Sequence, residues 1–189
     1  MTKPASAPGV YPVAMTDADQ AGETDRIEGT FLVTAAEDAS AVLKNVETGQ
    51  VHTLSSNPGV ECDDVVEGVV TPDPPMNVSY QLIETTSRRS LSVERSDEPP
   101  TTHSKELAAS QDVGELTREP RAGKGEIHVI TVPEDDTGTA ADDVLEDEEQ
   151  LLSRAARLDV NGVEVRSSPG VLSVRYMPER RCYGPVRAS

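Results

Sequence analysis

The chain has 189 residues, with 34 acidic residues against 17 basic ones, a formal net charge of −17 and three per cent aromatic residues. Four of the basic residues are lysines (Lys3, Lys44, Lys105, Lys124) and the other 13 are arginines, which argues against a hyperthermophile surface, rich in Lys and Glu together. No stretch approaches the about 20 apolar residues of a membrane span, and the N-terminus lacks the apolar region of a secretory signal.

Residues 1–26 are rich in Ala, Thr, Asp, Gly and Pro without periodicity and read as a disordered acidic tail, with Met15 an alternative start. Residues 27–95 read as a run of short strands. The first is Thr30–Thr34, the second Ala41–Val46, then a turn in which Gly49 takes positive φ, then Val51–Ser55. Asn57-Pro58-Gly59 marks another turn. Val65–Val70 follows, with Gly68 inside it as the mark of a bulge or sharp bend. Val78–Ile83 and Ser90–Val93 complete the set. Strands this short and regular favour a closed barrel or a sandwich, and a bent strand with an internal glycine, which lets a small sheet close on itself, points to a small barrel of OB or SH3 type.

Residues 96–125 read as a linker: Pro99-Pro100 breaks regular structure, and Thr102 or Ser104 can cap a short helix through Ala109. Residues 126–178 read as a small α/β module. Ile127–Val132 is apolar on both faces, as a buried strand is. Thr137 or Thr139 caps a helix through about Asp147; Leu151, Ala155 and Leu158 give a second, which Asn161-Gly162 ends. Val163–Val165 and Val171–Tyr176 are strands joined around Ser168-Pro169-Gly170. The order is strand, helix, helix, strand, strand, and the fold class is α+β. Residues 179–189 read as a basic tail.

The phrases Gly29–Thr34, Val51–Val60, Gly125–Pro133, Ser153–Leu158 and Val171–Tyr176 resemble those of a haloarchaeal family of uncharacterised proteins. The resemblance implies a folded protein of a salt-rich cytoplasm and transfers no catalytic residue. The phrase Asp64–Val70 also resembles one common in OB-type barrels of translation proteins. In about 1 M salt the Debye length falls to about 3 Å, so self-repulsion among the carboxylates nearly vanishes. Those carboxylates then hold a shell of water and monovalent cations. Disorder is the competing reading of such a composition, and the strand and helix patterning opposes it. Cys62 and Cys182 lie far apart without ligand spacing, as suits a reducing compartment.

Between Glu134 and Glu149 there are nine acids and no basic residue. No Gly-centred loop gathers them on a cation, so they read as a solvated helix face. Residues 150–189 invert the sign, with seven arginines against three acids. Arg154, Arg157 and Arg166 are expected to face the acidic run, whereas Arg175, Arg180 and Arg181 are candidates for contact with an acidic partner or a phosphate backbone. Arg88, Arg89 and Arg95 form a second such cluster at the end of the barrel, where Phe31 and Tyr80 are the aromatic residues on offer for base stacking. His52, His103 and His128 are isolated, and neither a nucleophile elbow nor paired Cys-x-x-Cys nor His-Glu-x-x-His is present. Gly123-Lys124-Gly125 precedes a strand and is not a phosphate loop. No catalytic residue, cofactor or metal site is expected. The first functional expectation is a cytoplasmic, non-enzymatic adaptor that docks on a protein partner; the second is an RNA- or ribosome-associated protein; the third is an enzyme whose site the sequence hides.

Overall fold

A computed structural model of the chain describes residues 25–178. Met15, Arg180, Arg181 and Cys182 lie outside the described residues, as do almost all of both expected tails.

The first five strands are β1 (Ile27–Ala36), β2 (Ala41–Asn45), β3 (Val51–Leu54), β4 (Asp64–Pro72) and β5 (Tyr80–Ser90). They close into a barrel in the order β1-β2-β3-β5-β4. All neighbours are antiparallel except β3 and β5, which meet in parallel at Leu54 and Tyr80. This is the five-stranded Greek-key closure of OB type. Alternation along the strands sends Phe31, Val33, Leu43, Leu54, Val66 and Val70 inward to fill the barrel. The tight connections are built from side chains that stand in for backbone. Asn45 accepts the N–H groups of Glu47 and Thr48, both at 3.0 Å, ahead of Gly49 at φ 75°. Asn57 accepts those of Gly59 and Val60, at 2.8 and 2.9 Å.

Closing so small a sheet requires a sharp bend, and Gly68 supplies it. The β4–β5 register slips at Glu67/Gly68 and again at Val69/Val70. A Cβ on Gly68 would overlap the Glu84 carbonyl oxygen of the crossing strand.

A second sheet holds β6 (Ser92–Arg95), β7 (Leu116–Pro120), β8 (Glu126–Thr131), β9 (Gly162–Ser168) and β10 (Val171–Met177) in the order β6-β9-β10-β8-β7. β6 lies parallel to β9 and the other pairings are antiparallel. Between β6 and β7 runs α1 (Thr102–Ala109); between β8 and β9 run α2 (Thr137–Glu146) and α3 (Glu148–Arg157). Val163, Val165, Leu172, Val174 and Tyr176 face α2 and α3, while Ser173 faces α1. The core on this face continues onto the outer wall of the barrel, while the barrel interior forms a second cluster. Leu32 and Val65, paired on the outer side of β1 and β4, join Val46 in packing with Leu151, Leu152, Ala155 and Ala156 of α3. The two units therefore pack together.

The α+β class, with a barrel ahead of a strand-helix-helix-strand-strand unit, is the one expected. Several local expectations fail. The strand expected over Ser90–Val93 does not close the barrel: β6 starts at Ser92 and belongs to the second sheet. The strand expected at Val78–Ile83 starts at Tyr80 and runs on through a polar stretch to Ser90. The stretch 96–125, expected as a linker, contributes α1 and the sheet-edge strand β7. Thr101, not Thr102 or Ser104, caps α1, accepting the Ser104 N–H at 3.2 Å. Thr137 does not cap α2; a turn of 3-10 helix (Glu134–Asp136) leads into it, and the Thr137 hydroxyl donates back to the Pro133 and Glu134 carbonyls. Asn161-Gly162 opens β9, and the left-handed residue after α3 is Asp159, at φ 50°.

Gly68→Ala should therefore cost about 1–3 kcal/mol, the range for forcing atoms into packed space. A urea melt should show a lower midpoint with an unchanged slope; an unshifted midpoint would mean that the bend does not depend on the missing side chain.

Candidate functional site

Asp64 opens β4 with no exposed surface. Its Oδ2 accepts from Arg88 Nε at 2.7 Å and from the Glu61 N–H at 2.8 Å, and its Oδ1 accepts from Ser90 Oγ at 2.6 Å. Burial pushes the carboxyl up, but the hydrogen bonds from Ser90, Glu61 and Arg88, with the guanidinium charge, outweigh it and hold Asp64 below its ordinary value. Arg88 also donates to the Gly59 carbonyl at 2.7 Å, tying β5 to the 57–60 turn. Its neighbour Arg89 points the other way, as alternation requires. It lies 3.3 Å from both Glu67 and Asp159 and donates to the Ala156 carbonyl at 3.1 Å, at the C-terminal end of α3. Arg157 returns the contact, donating from Nε to the Val46 carbonyl at 2.5 Å, and Lys44 pairs with Glu149. These groups lock the barrel to α3.

Arg95 pairs with Asp142 of α2. Arg175 donates to Glu164 Oε2 at 2.9 Å, beneath the second sheet on the face away from α3. Arg166 holds Oε1 of the same carboxylate at 2.7 Å and reaches Glu98 at 2.5 Å. Burial raises Glu164, but hydrogen bonds from Arg166 and Ser96 and the two guanidinium charges win and lower it. Arg88, Arg89, Arg95 and Arg175 thus all hold carboxylates of this chain and do not share one face; Arg180 and Arg181 lie outside the described residues. Arg154, Arg157 and Arg166 do not face the acidic run as expected; they serve Glu126, the Val46 carbonyl, and Glu98 with Glu164. All nine acids of that run are exposed. Among the described residues, no group of three or more His, Cys, Asp or Glu side chains is placed to hold a metal ion.

The sequence did not bring together Glu126, His128, Arg154 and Tyr176. Both Glu126 oxygens accept from Arg154 Nη2, at 2.7 and 2.6 Å, and Oε2 lies 3.1 Å from His128 Nε2. The His128 and Tyr176 rings are 4.8 Å apart. Arg154 and then His128 hold Glu126 ionised; burial keeps His128 below its ordinary value and pushes Tyr176 up to about 12. The set is held together by the paired Glu126 carboxylate. The signal for half of it was Glu126-x-His128 on a strand, which puts both side chains on one face.

His52 sits fully buried in the barrel wall, with ring centroids 5.7 Å from Phe31 and 4.5 Å from Tyr80, both edge-on. Neither of its nitrogens has a hydrogen-bond partner. Burial lowers its pKa.

The outward surface of the barrel carries apolar side chains as well. Met76 is 75% exposed and Val78 is 74% exposed, both on the β4–β5 loop. The parallel Leu54–Tyr80 register sets the approach to β5 alongside β3, whose first residue, Val51, is 56% exposed.

The family of unknown function DUF5812 matches residues 27–167, from the start of β1 almost to the end of β9. The chain belongs to this family. The DUF5812 match thus takes in the whole barrel and most of the second sheet together with the helices between them. No curated protein and no solved structure matches the chain.

Arg88→Ala should destabilise the protein by about 3 kcal/mol at pH 7, because it strips the guanidinium from a buried carboxylate. The cost should shrink as pH falls below about 4, where Asp64 takes up a proton in the unfolded chain and the advantage of its lowered pKa fades. For His52 the sign is opposite in origin but alike in direction. The unfolded chain binds the proton first, so stability is full above about pH 6.5 and declines as pH falls from there. His128 adds to the same decline. His52→Leu should remove part of that slope and stabilise the neutral protein by about 1–3 kcal/mol, the cost of an unsatisfied buried polar group. Urea melts at pH 7 and pH 5 read the His52 effect, and a further melt at pH 3 reads that of Arg88→Ala.

Proposed function

We propose that this chain is a non-enzymatic protein-binding module of a salt-rich cytoplasm, and that it docks on a protein partner through the apolar loop that presents Met76 and Val78. The observation that carries this reading is the exposure of Met76 and Val78 on the barrel loop, against described barrel arginines that are committed to carboxylates of the chain itself. Apolar contact survives high salt, whereas exposed ion pairs are screened. Asp73 opens the same loop and is bonded to Asn77 and Ser79 within it, so the fitting partner surface is apolar at its centre with a basic group at that edge.

A barrel that reads single-stranded nucleic acid offers stacking rings and a cationic groove. Here Phe31 is enclosed and Tyr80 is stacked edge-on with His52. The RNA-associated reading rests on Arg180 and Arg181, and the test separates it.

The full chain and its Met76→Asp/Val78→Asp variant are immobilised and exposed to extract of the source cells in molar KCl, with and without nuclease. The expected result is a protein retained after nuclease by the parent chain and bound at least about tenfold less by the variant, as loss of a central apolar anchor produces. Loss of every partner on nuclease treatment overturns the reading in favour of RNA. Equal capture by the variant removes the loop from the interface.

A further inference from the structure

The second sheet ends on β7, which pairs on one side with β8 and on the other with no described strand. Arg121 donates its N–H to the Gly125 carbonyl at 3.0 Å, and Thr131 donates to the Glu115 carbonyl at 3.2 Å. Bonded and unbonded pairs alternate along an antiparallel ladder. Thr117 and Glu119 therefore turn their backbone groups to β8, whereas Leu116 and Arg118 turn theirs outward. The edge presents the N–H and C=O of both residues and the carbonyl of Pro120. Such a row is a template for another extended chain.

The side chains beside this row are of two kinds. Leu116, Arg118 and Pro120 stand opposite Ile130, His128 and Glu126, on the face of the sheet that carries Leu172, Val174 and Tyr176. On that face α2 packs over β9 and β10, and α3 over β6 and β9. Leu116 is exposed, as is Val113 on the turn before it. Arg118 has no carboxylate partner among the described residues. Of the residues that β7 and β8 turn to this face the one acid is Glu126, which Arg154 and His128 already hold. Burial, and then the Arg118 charge, lower His128, as fits two side chains brought close in an unbonded pair. Arg121 at the end of the strand bonds the Lys124 carbonyl at 3.4 Å and no described carboxylate. Acids are not scarce, since the chain has 34 of them to 17 bases, and Arg88, Arg89, Arg95, Arg166 and Arg175 each hold one.

We infer that β7 is the docking edge for an extended acidic segment of a protein partner. The segment adds a strand to the second sheet, sets an apolar side chain on Leu116 and Ile130, and sets an Asp or Glu carboxylate on Arg118. Alternation along a strand puts those two side chains two positions apart. The ladder bonds supply affinity and the side chains supply choice. Salt screens the carboxylate–guanidinium contact and leaves the ladder and the apolar contact, so the choice is sharpest at low salt. A second copy of this chain fits the edge less well. Antiparallel self-pairing centred on Arg118 sets two guanidinia opposite each other, which is unfavourable, and both copies carry a net charge of −17. The inference does not rest on the β4–β5 loop, which belongs to the barrel.

The full chain is titrated with a blocked synthetic peptide, Thr-Ile-Thr-Asp-Thr-Ile-Thr, and with its twin in which Lys replaces Asp. The sequence is symmetric, so Asp meets Arg118 whichever way the peptide runs. Amide exchange with water is followed by NMR in about 0.2 M and about 2 M KCl. The expected result is exchange at Leu116 and Arg118 slowed at least about threefold by about 5 mM Asp peptide, with Thr117 and Glu119, already bonded to β8, unchanged. In the low-salt sample the Asp peptide binds at least about threefold more tightly than its twin, as one exposed charge contact allows. That preference shrinks in the high-salt sample and reverses in Arg118→Glu. Exchange at Leu116 and Arg118 that neither peptide slows overturns the inference. Equal affinity for the two peptides at low salt overturns it too, as does a preference that Arg118→Glu leaves intact. A chain that sediments as a dimer with those two amides already protected also overturns it, because a second copy then holds the edge.

Discussion

The seat of α3 on the barrel holds the molecule together. Leu32 and Val65 point out of a barrel that is filled by their sequence neighbours Phe31 and Val66, and they would face water if the helix were absent. Leu151, Leu152, Ala155 and Ala156 cover them, and together with α2 the same helix covers Val163, Val165 and Val174 of the second sheet. One helix thus joins the outer wall of the barrel to the core of the second sheet, in a chain with three per cent aromatic residues. β6 makes the join covalent, since it follows β5 after a single residue and enters the second sheet beside β9.

The charges follow from that architecture. Arginines are used where a planar fork can reach both a carboxylate and a carbonyl. Arg88 spans Asp64 and the Gly59 carbonyl, and Arg89 spans Glu67, Asp159 and the Ala156 carbonyl. Each bond of this kind fixes a loop or a helix end at its junction with the barrel. The surplus of carboxylates is left outside, as the uniformly exposed run from Glu134 to Glu149 shows. Net charge and paired charge are largely carried apart, with Asp142 and Glu149 of that run, which hold Arg95 and Lys44, serving both: the first sets how the surface meets solvent and salt, the second sets how the pieces lock.

What could be read in advance divides along the same lines. Gly68 announced its bulge because a glycine inside a valine run has no other use in a small barrel. Gly49 and Gly59 announced their turns through the positive φ each adopts. The second half of β5 was illegible: Glu84 to Arg89 is polar and mostly exposed, so no alternation marks it, and its pairing is dictated by β4. β7 was hidden for the same reason at a sheet edge, where only β8 recruits it. The partners of the arginines were illegible as well. Arg89 and Asp159 are 70 positions apart, and local charge patterning pointed Arg154 and Arg157 toward an acidic run that in fact faces solvent. Exposed apolar side chains such as Met76 and Val78 carry no signal until the loop that presents them is placed.

The barrel's faces are consequently unequal. Its interior is closed by packed aliphatic side chains and by a histidine clasped between two rings, which leaves its outside to meet other molecules. Part of that outside is taken by α3, and the bare stretch beyond it is acidic. The β4–β5 loop is apolar at its tip. A surface that separates its apolar and ionic stretches responds to salt in two ways: added salt screens the carboxylates and leaves apolar contact at Met76 and Val78 unweakened. At high salt the second kind of contact would be the durable one, which is why the proposed partner is assigned to the loop and not to the barrel's arginines.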